Sequence, residues 1–134
     1  MKKPLFLISA CVAVASLAIA HGHEEFEKAM KEISPGFSGL RKAVDAKQGP
    51  AAAAAAQKLV PLMKQVQEHF EEHKMQDGIT WAKTAQNAAG QLAGAANSGD
   101  WEKAAAEVKT LGGTCQSCHA AHRVKMPDGT YTMK

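Results

Sequence analysis

Large aromatic side chains are scarce in this 134-residue chain, which holds two tryptophans, one tyrosine and four phenylalanines. Neither an aromatic stripe nor a block of basic residues is present, so nothing in the chain is built to hold nucleic acid. No segment of useful length alternates apolar and polar residues, which argues against a sheet as the framework. Cysteine occurs only three times. The longest uncharged apolar run, Leu5 to Ala20, falls short of the ~20 residues that a membrane-spanning helix needs, and no stop-transfer pattern follows it.

That run has a different use. Lys2 and Lys3 precede it, and Ala18-Ile19-Ala20 ends it with small residues two apart. This is the layout of a cleaved export signal, residues 1–20, ahead of a single domain at 21–134. A rival reading places a lipoprotein site at Ile8-Ser9-Ala10-Cys11, but the apolar stretch would then run well past the modified cysteine. Cleavage after Ala20 removes Cys11, exposes His21 as the new N-terminus, and lowers the formal charge from +3 to +1 by removing two lysines. The expected location is the periplasm.

The rest of the chain has helical periodicity. Phe26, Met30, Ile33, Phe37, Leu40 and Val44 are spaced alternately by four and three, the stripe of a helix packed along its length. Pro35 interrupts the stripe without changing its phase, so a bend is expected there and no separate element. A second helix begins at the alanine run, with Pro50 suited to its first turn, and reaches about Gln76. Leu59, Leu62 or Met63, Val66, Phe70 and His73 mark its inner side, and Pro61 predicts a second bend. Asp77-Gly78 is expected to end this helix. A third, from about Thr80 to Ala96, carries the small-residue stripe Trp81, Ala85, Ala88, Leu92 and Ala95. Asp100 is a good N-cap for a fourth, with Trp101, Ala105, Val108, Gly112, Cys115, Cys118 and His122 along one side. Pro127-Asp128-Gly129 should stop it and leave a short tail. Four helices with short connections form an up-down-up-down all-α bundle. Its stripes are poor in large apolar side chains, so its core is weak unless an apolar cofactor fills it.

Cys115-Gln116-Ser117-Cys118-His119 is such a cofactor's attachment sequence, C-x-x-C-H. Residues three and four apart share one helix face, so two thiols can each add to a haem vinyl group while the His119 ring reaches the iron. The competing readings are weaker. A structural zinc site needs two further ligands at recognisable spacing. A redox-active C-x-x-C pair expects a βαβ setting. A disulfide between residues i and i+3 of a helix has poor geometry.

With that motif on the last helix of a bundle, the chain resembles the class II c-type cytochromes, the cytochrome c′ family. The resemblance covers the mature chain in architecture. In motif terms it rests on Cys115 to Arg123, where His122 replaces the family's usual aromatic, and on Met30-Lys31-Glu32-Ile33 with Pro35-Gly36. It implies one covalent haem c, with Cys115, Cys118 and His119 as attachment and iron-ligand residues. Met30 is then the second iron ligand of a low-spin, one-electron carrier. Arg123 is expected to pair with a haem propionate, the plain alternative being an arginine exposed to solvent. The alternative within the same family is a five-coordinate haem that binds NO or CO, with Met30 only a core residue. The resemblance also implies redox partner proteins and allows a homodimer through the first two helices. No set of acids and bases surrounds a substrate pocket, so no enzyme activity is expected.

Three histidine positions lie apart from the motif. His69 is expected to be solvated within the charged stretch Glu68 to His73. His73, on the inner stripe, is the alternative second iron ligand. The processed terminus His21-Gly22-His23 places an imidazole third after a free amine, an arrangement suited to square-planar copper or nickel unless it is simply frayed.

Overall fold

In the computed structural model, the backbone is described for residues 11–134 and the side chains for residues 22–134. The side chains of the expected export signal, residues 1–20, therefore lie outside the described residues. Four helices follow in chain order: α1 (Cys11–Asp45), α2 (Gly49–Glu72), α3 (Gln76–Ser98) and α4 (Trp101–His122). Their connections are two or three residues long, so each helix runs antiparallel to the next, and the fold is an all-α four-helix bundle. A two-stranded hairpin, β1 (Arg123–Lys125) and β2 (Tyr131–Met133), closes the chain. Among the described residues no helix is long and apolar enough to cross a membrane.

The expected stripes of α1, α2 and α3 supply most of the core, whereas α4 buries Ala104, Leu111 and Cys118 and leaves Ala105, expected inward, exposed. Phe26, Ile33, Leu40 and Val44 of α1 are buried with Leu59, Met63, Val66 and Phe70 of α2. From α3 come Leu92 and a row of alanines, Ala82, Ala85, Ala88, Ala89, Ala95 and Ala96. With so little side-chain bulk, the helix backbones approach closely. A Cβ on Gly49, at the start of α2, would lie 2.9 Å from the Ala96 carbonyl oxygen. Pro35 and Pro61 both fall inside continuous helices.

Two boundaries differ from expectation. Asp77-Gly78 does not end α2; it opens α3. The turn is made instead at Lys74, whose φ of 56° allows Met75 N to return to Phe70 O at 2.9 Å. Asp77 sits in the first turn of α3, where a carboxylate favours the free N–H groups, and it accepts from Gly78 N at 2.8 Å. Gly78 is needed for packing, since a Cβ there would overlap the Phe70 ring. The second difference is the C-terminus, expected as a tail and found as a hairpin pairing Arg123 with Met133 and Lys125 with Tyr131. Pro127-Asp128-Gly129 makes its turn. The Asp128 carboxylate accepts from Thr130 N at 2.9 Å and from Thr130 Oγ1, while Gly129 takes φ 86°.

Helices α2 and α3 pack tightly, as do α1 with α2 and α3 with α4, whereas α1 and α4 touch sparsely. The bundle is therefore open along one seam. Met30 and Phe37, on the α1 stripe, are only half-buried because they face that seam.

Candidate functional site

The seam contains a cavity of ≈ 340 Å³, within the range of small-molecule and cofactor pockets. All four helices wall it. Helix α1 supplies Met30, Ile33 and Phe37; α2 supplies Met63, Val66 and Phe70; α3 supplies Trp81, Ala82 and Ala85; α4 supplies Cys115, Cys118 and His119. Lys31 and Arg123 are its cationic side chains. The small side chains of Ala82 and Ala85 leave room against α3 for a flat group. The five residues singled out from the sequence, Met30, Cys115, Cys118, His119 and Arg123, thus line one space.

Helix α4 is held in place at both ends. Asp100 caps it as expected, accepting from Lys103 N at 3.0 Å. At the other end His122 Nε2 lies 3.0 Å from Asp77 Oδ2, tying the end of α4 to the start of α3. The His122 ring also sits 5.3 Å from Phe70 and 6.0 Å from Trp81, both of them cavity residues. His122 therefore packs beside the site, as expected of a residue one turn beyond His119.

The electrostatics favour neutral reacting groups. Burial pushes the Cys118 thiol up to about 11, with Cys115 and Asp77 adding to the rise, and burial also raises the Cys115 thiol. The two thiols are free. Desolvation, followed by the positive charge of Arg123, lowers the His119 pKa. A neutral imidazole keeps a ring nitrogen lone pair for a metal, and neutral thiols suit an apolar wall.

The hairpin adds a part of the site that sequence reasoning missed. A smaller cavity of ≈ 130 Å³ adjoins the first and shares Met30, Cys118, His119 and Arg123 with it. Its remaining wall includes Tyr131, Thr132 and Met133 of β2, and His23, Phe26 and Glu27 of α1. Arg123 lies over the Tyr131 ring, 3.4 Å from its centroid, a cation–π contact that anchors the hairpin at the cavity mouth. The signal was available: Pro-Asp-Gly between two short polar–apolar runs is turn chemistry.

The histidines of α2 exchange the places expected of them. His69 is buried, 5% exposed, and stacks on Phe26 at 4.1 Å between ring centroids. His73 is exposed at the end of α2 and does not line the cavity. The inner stripe stops at Phe70 because α2 ends at Glu72, and His69 lies on the side of α2 that faces α1.

A four-helix bundle whose last helix presents C-x-x-C-H to an apolar slot defines a haem-binding c-type cytochrome. Residues 79–123 match the family model described as Cytochrome C′, a stretch that takes in most of α3 and all of α4. The match supports a class II c-type cytochrome, a family whose members carry one covalently attached haem c. No curated protein matches it. The residues present fit the group: two thiols, a neutral imidazole, apolar walls and small side chains on α3. Met30 lies outside the matched residues.

Proposed function

We propose that the protein is a periplasmic one-electron carrier, exported by removal of residues 1–20. Cys115 and Cys118 hold the haem as thioethers, His119 is one iron ligand and Met30 the other. Bound haem supplies a one-electron iron couple. The observation that carries this reading is the shared cavity, with the Met30 thioether on α1 and the His119 ring on α4 both in its wall. A thioether opposite an imidazole stabilises ferrous iron and raises the potential. Phe37, Phe70 and Ile33 keep water from the slot, which limits the reorganisation that accompanies electron transfer. Arg123 and Lys31 offer positive charge to the propionates, with Arg123 held in place by Tyr131. Partners are other redox proteins.

The five-coordinate, gas-binding alternative draws support from the apolar lining on the α1 side, where Ile33 and Phe37 stand near Met30. A spectrum separates the two. The carrier reading expects a low-spin ferric protein with the weak far-red band that marks iron–methionine bonding, and loss of that band in Met30→Ala. A high-spin ferric spectrum and rapid CO binding on reduction, unchanged by Met30→Ala, would move the protein to the gas-binding branch.

A further inference from the structure

Beside the smaller cavity, whose wall includes His23, three imidazoles gather where α1 meets the end of α2: His23 of α1, His69 of α2 and His73 just past the end of α2. The His23 and His69 ring centroids are 6.1 Å apart, and those of His69 and His73 are 4.4 Å apart. His69 is buried, yet its Nδ1 has no hydrogen-bond partner. Its ring is bonded to the Gly22 backbone, and burial with its two histidine neighbours lowers its pKa to about 4, so it is neutral. His73 Nδ1 lies 2.8 Å from the His69 carbonyl oxygen and donates to it, which leaves its Nε2 outside that bond. Gly22 is packed against α2: a Cβ there would lie 2.6 Å from Glu72 Oε2.

Among the described residues no three His, Cys, Asp or Glu side chains are already arranged to hold a metal ion. Processing after Ala20 would add further nitrogen donors beside these imidazoles. It creates a primary amine on His21, directly before Gly22 and two residues before His23. The N–H groups of a helix's first turn have no partner within the helix, so the amides of Gly22 and His23 would be free in the processed chain. One amine, two amide nitrogens and one imidazole form a planar four-nitrogen set, the geometry preferred by Cu(II).

We infer that the processed terminus His21-Gly22-His23, seated on His69 and His73 of α2, is a Cu(II) site separate from the haem. The inference rests on the export reading proposed above. Binding displaces protons from the amine and the two amides, so affinity rises with pH, and no electron is transferred. His69 and His73 hold the tripeptide against α2 and offer a further nitrogen donor.

The test uses the exported, haem-loaded protein, with its N-terminal residue identified by mass spectrometry. Titration with Cu(II) in a calorimeter, and metal analysis after dialysis, should give one copper per chain. His23→Ala should abolish tight binding. So should a chain with one alanine added before His21, which keeps every side chain but moves His23 to the fourth position. His69→Phe should weaken binding about 10- to 100-fold, the usual cost of losing an outer-shell support. Undiminished binding in the alanine-extended chain or in His23→Ala would overturn the site, as would a terminus other than His21. The haem spectrum reads separately: a coloured protein without copper binding sinks this inference alone, and a colourless one that binds copper sinks only the haem reading.

Discussion

Gly78→Ala tests whether the wall of the haem slot is packed as tightly as the structure shows. A Cβ at position 78 overlaps the ring of Phe70, which is fully buried and has Phe26, His69 and His122 around it. With haem in the cavity that Phe70 lines, the ring could move only by pushing the haem or a second aromatic. Overpacking a filled core by one methyl costs about 1–3 kcal/mol. Alanine recovers part of that, since it is better than glycine in a helix interior by roughly 0.5–1 kcal/mol. The recovery is smaller here because Gly78 lies in the first turn of α3. The net expectation is a loss of about 1–2 kcal/mol. Gly90 is the internal control: it lies in the same helix with nothing within 4 Å of its would-be Cβ. Gly90→Ala should stabilise by roughly 0.5–1 kcal/mol, the propensity gain alone. Thermal melts of the two haem-loaded variants should therefore move in opposite directions, each by a few degrees, since the domain lies in size between those that shift by about 4–8 °C per kcal/mol and those that shift by about 2–4 °C. Two upward shifts would show that Phe70 has free space and that the slot is looser than described.

Three further outcomes are expected. Asp100→Ala removes the α4 cap and should cost about 1 kcal/mol in chemical denaturation, and the haem spectrum should stay unchanged because the motif is four turns away. His69 is held below its ordinary value in the folded protein, at about 4 against 6.5. Between those values the unfolded chain binds the extra proton, so stability should be full above pH 6.5 and fall as the pH drops toward 4. A His69→Phe variant with an undiminished fall over that window would rule His69 out as its source. Tyr131→Ala removes the ring under Arg123 and should cost no more than about 0.5–1 kcal/mol globally. It should also speed hydrogen exchange in the hairpin while exchange in α2 and α3 stays the same.

The four helices were legible because their buried faces repeat at helical spacing: every large residue of the α1 stripe is buried or faces the cavity. The cofactor motif was legible for a similar reason, since Cys115, Cys118 and His119 sit three and four residues apart on one helix. What escaped depends on tertiary packing or on a chain reversal. Asp77-Gly78 reads as a stop in one dimension, yet Gly78 is there because Phe70 presses on it, and Lys74 makes the turn with a backbone conformation that carries little sequence signal. His69 lies in a charged run, so its burial under Phe26 appears only once α1 crosses α2. The hairpin went unseen because strands of three residues are too short to show alternation, although its Pro-Asp-Gly turn was plain. His122 was placed beside the site by its helical phase, but its partner Asp77 is far away in sequence.

The account rests on a haem joined to the last helix through both cysteines. Its most direct measurement is the intact mass of the purified protein under denaturing conditions, with an absorption spectrum of the same sample. The mass should be that of the processed polypeptide plus one haem, the colour should stay with the unfolded chain, and both should be lost when Cys115 and Cys118 are replaced by alanine together. A colourless polypeptide of unmodified mass, or one two hydrogens lighter because its sulfurs are joined, would contradict it.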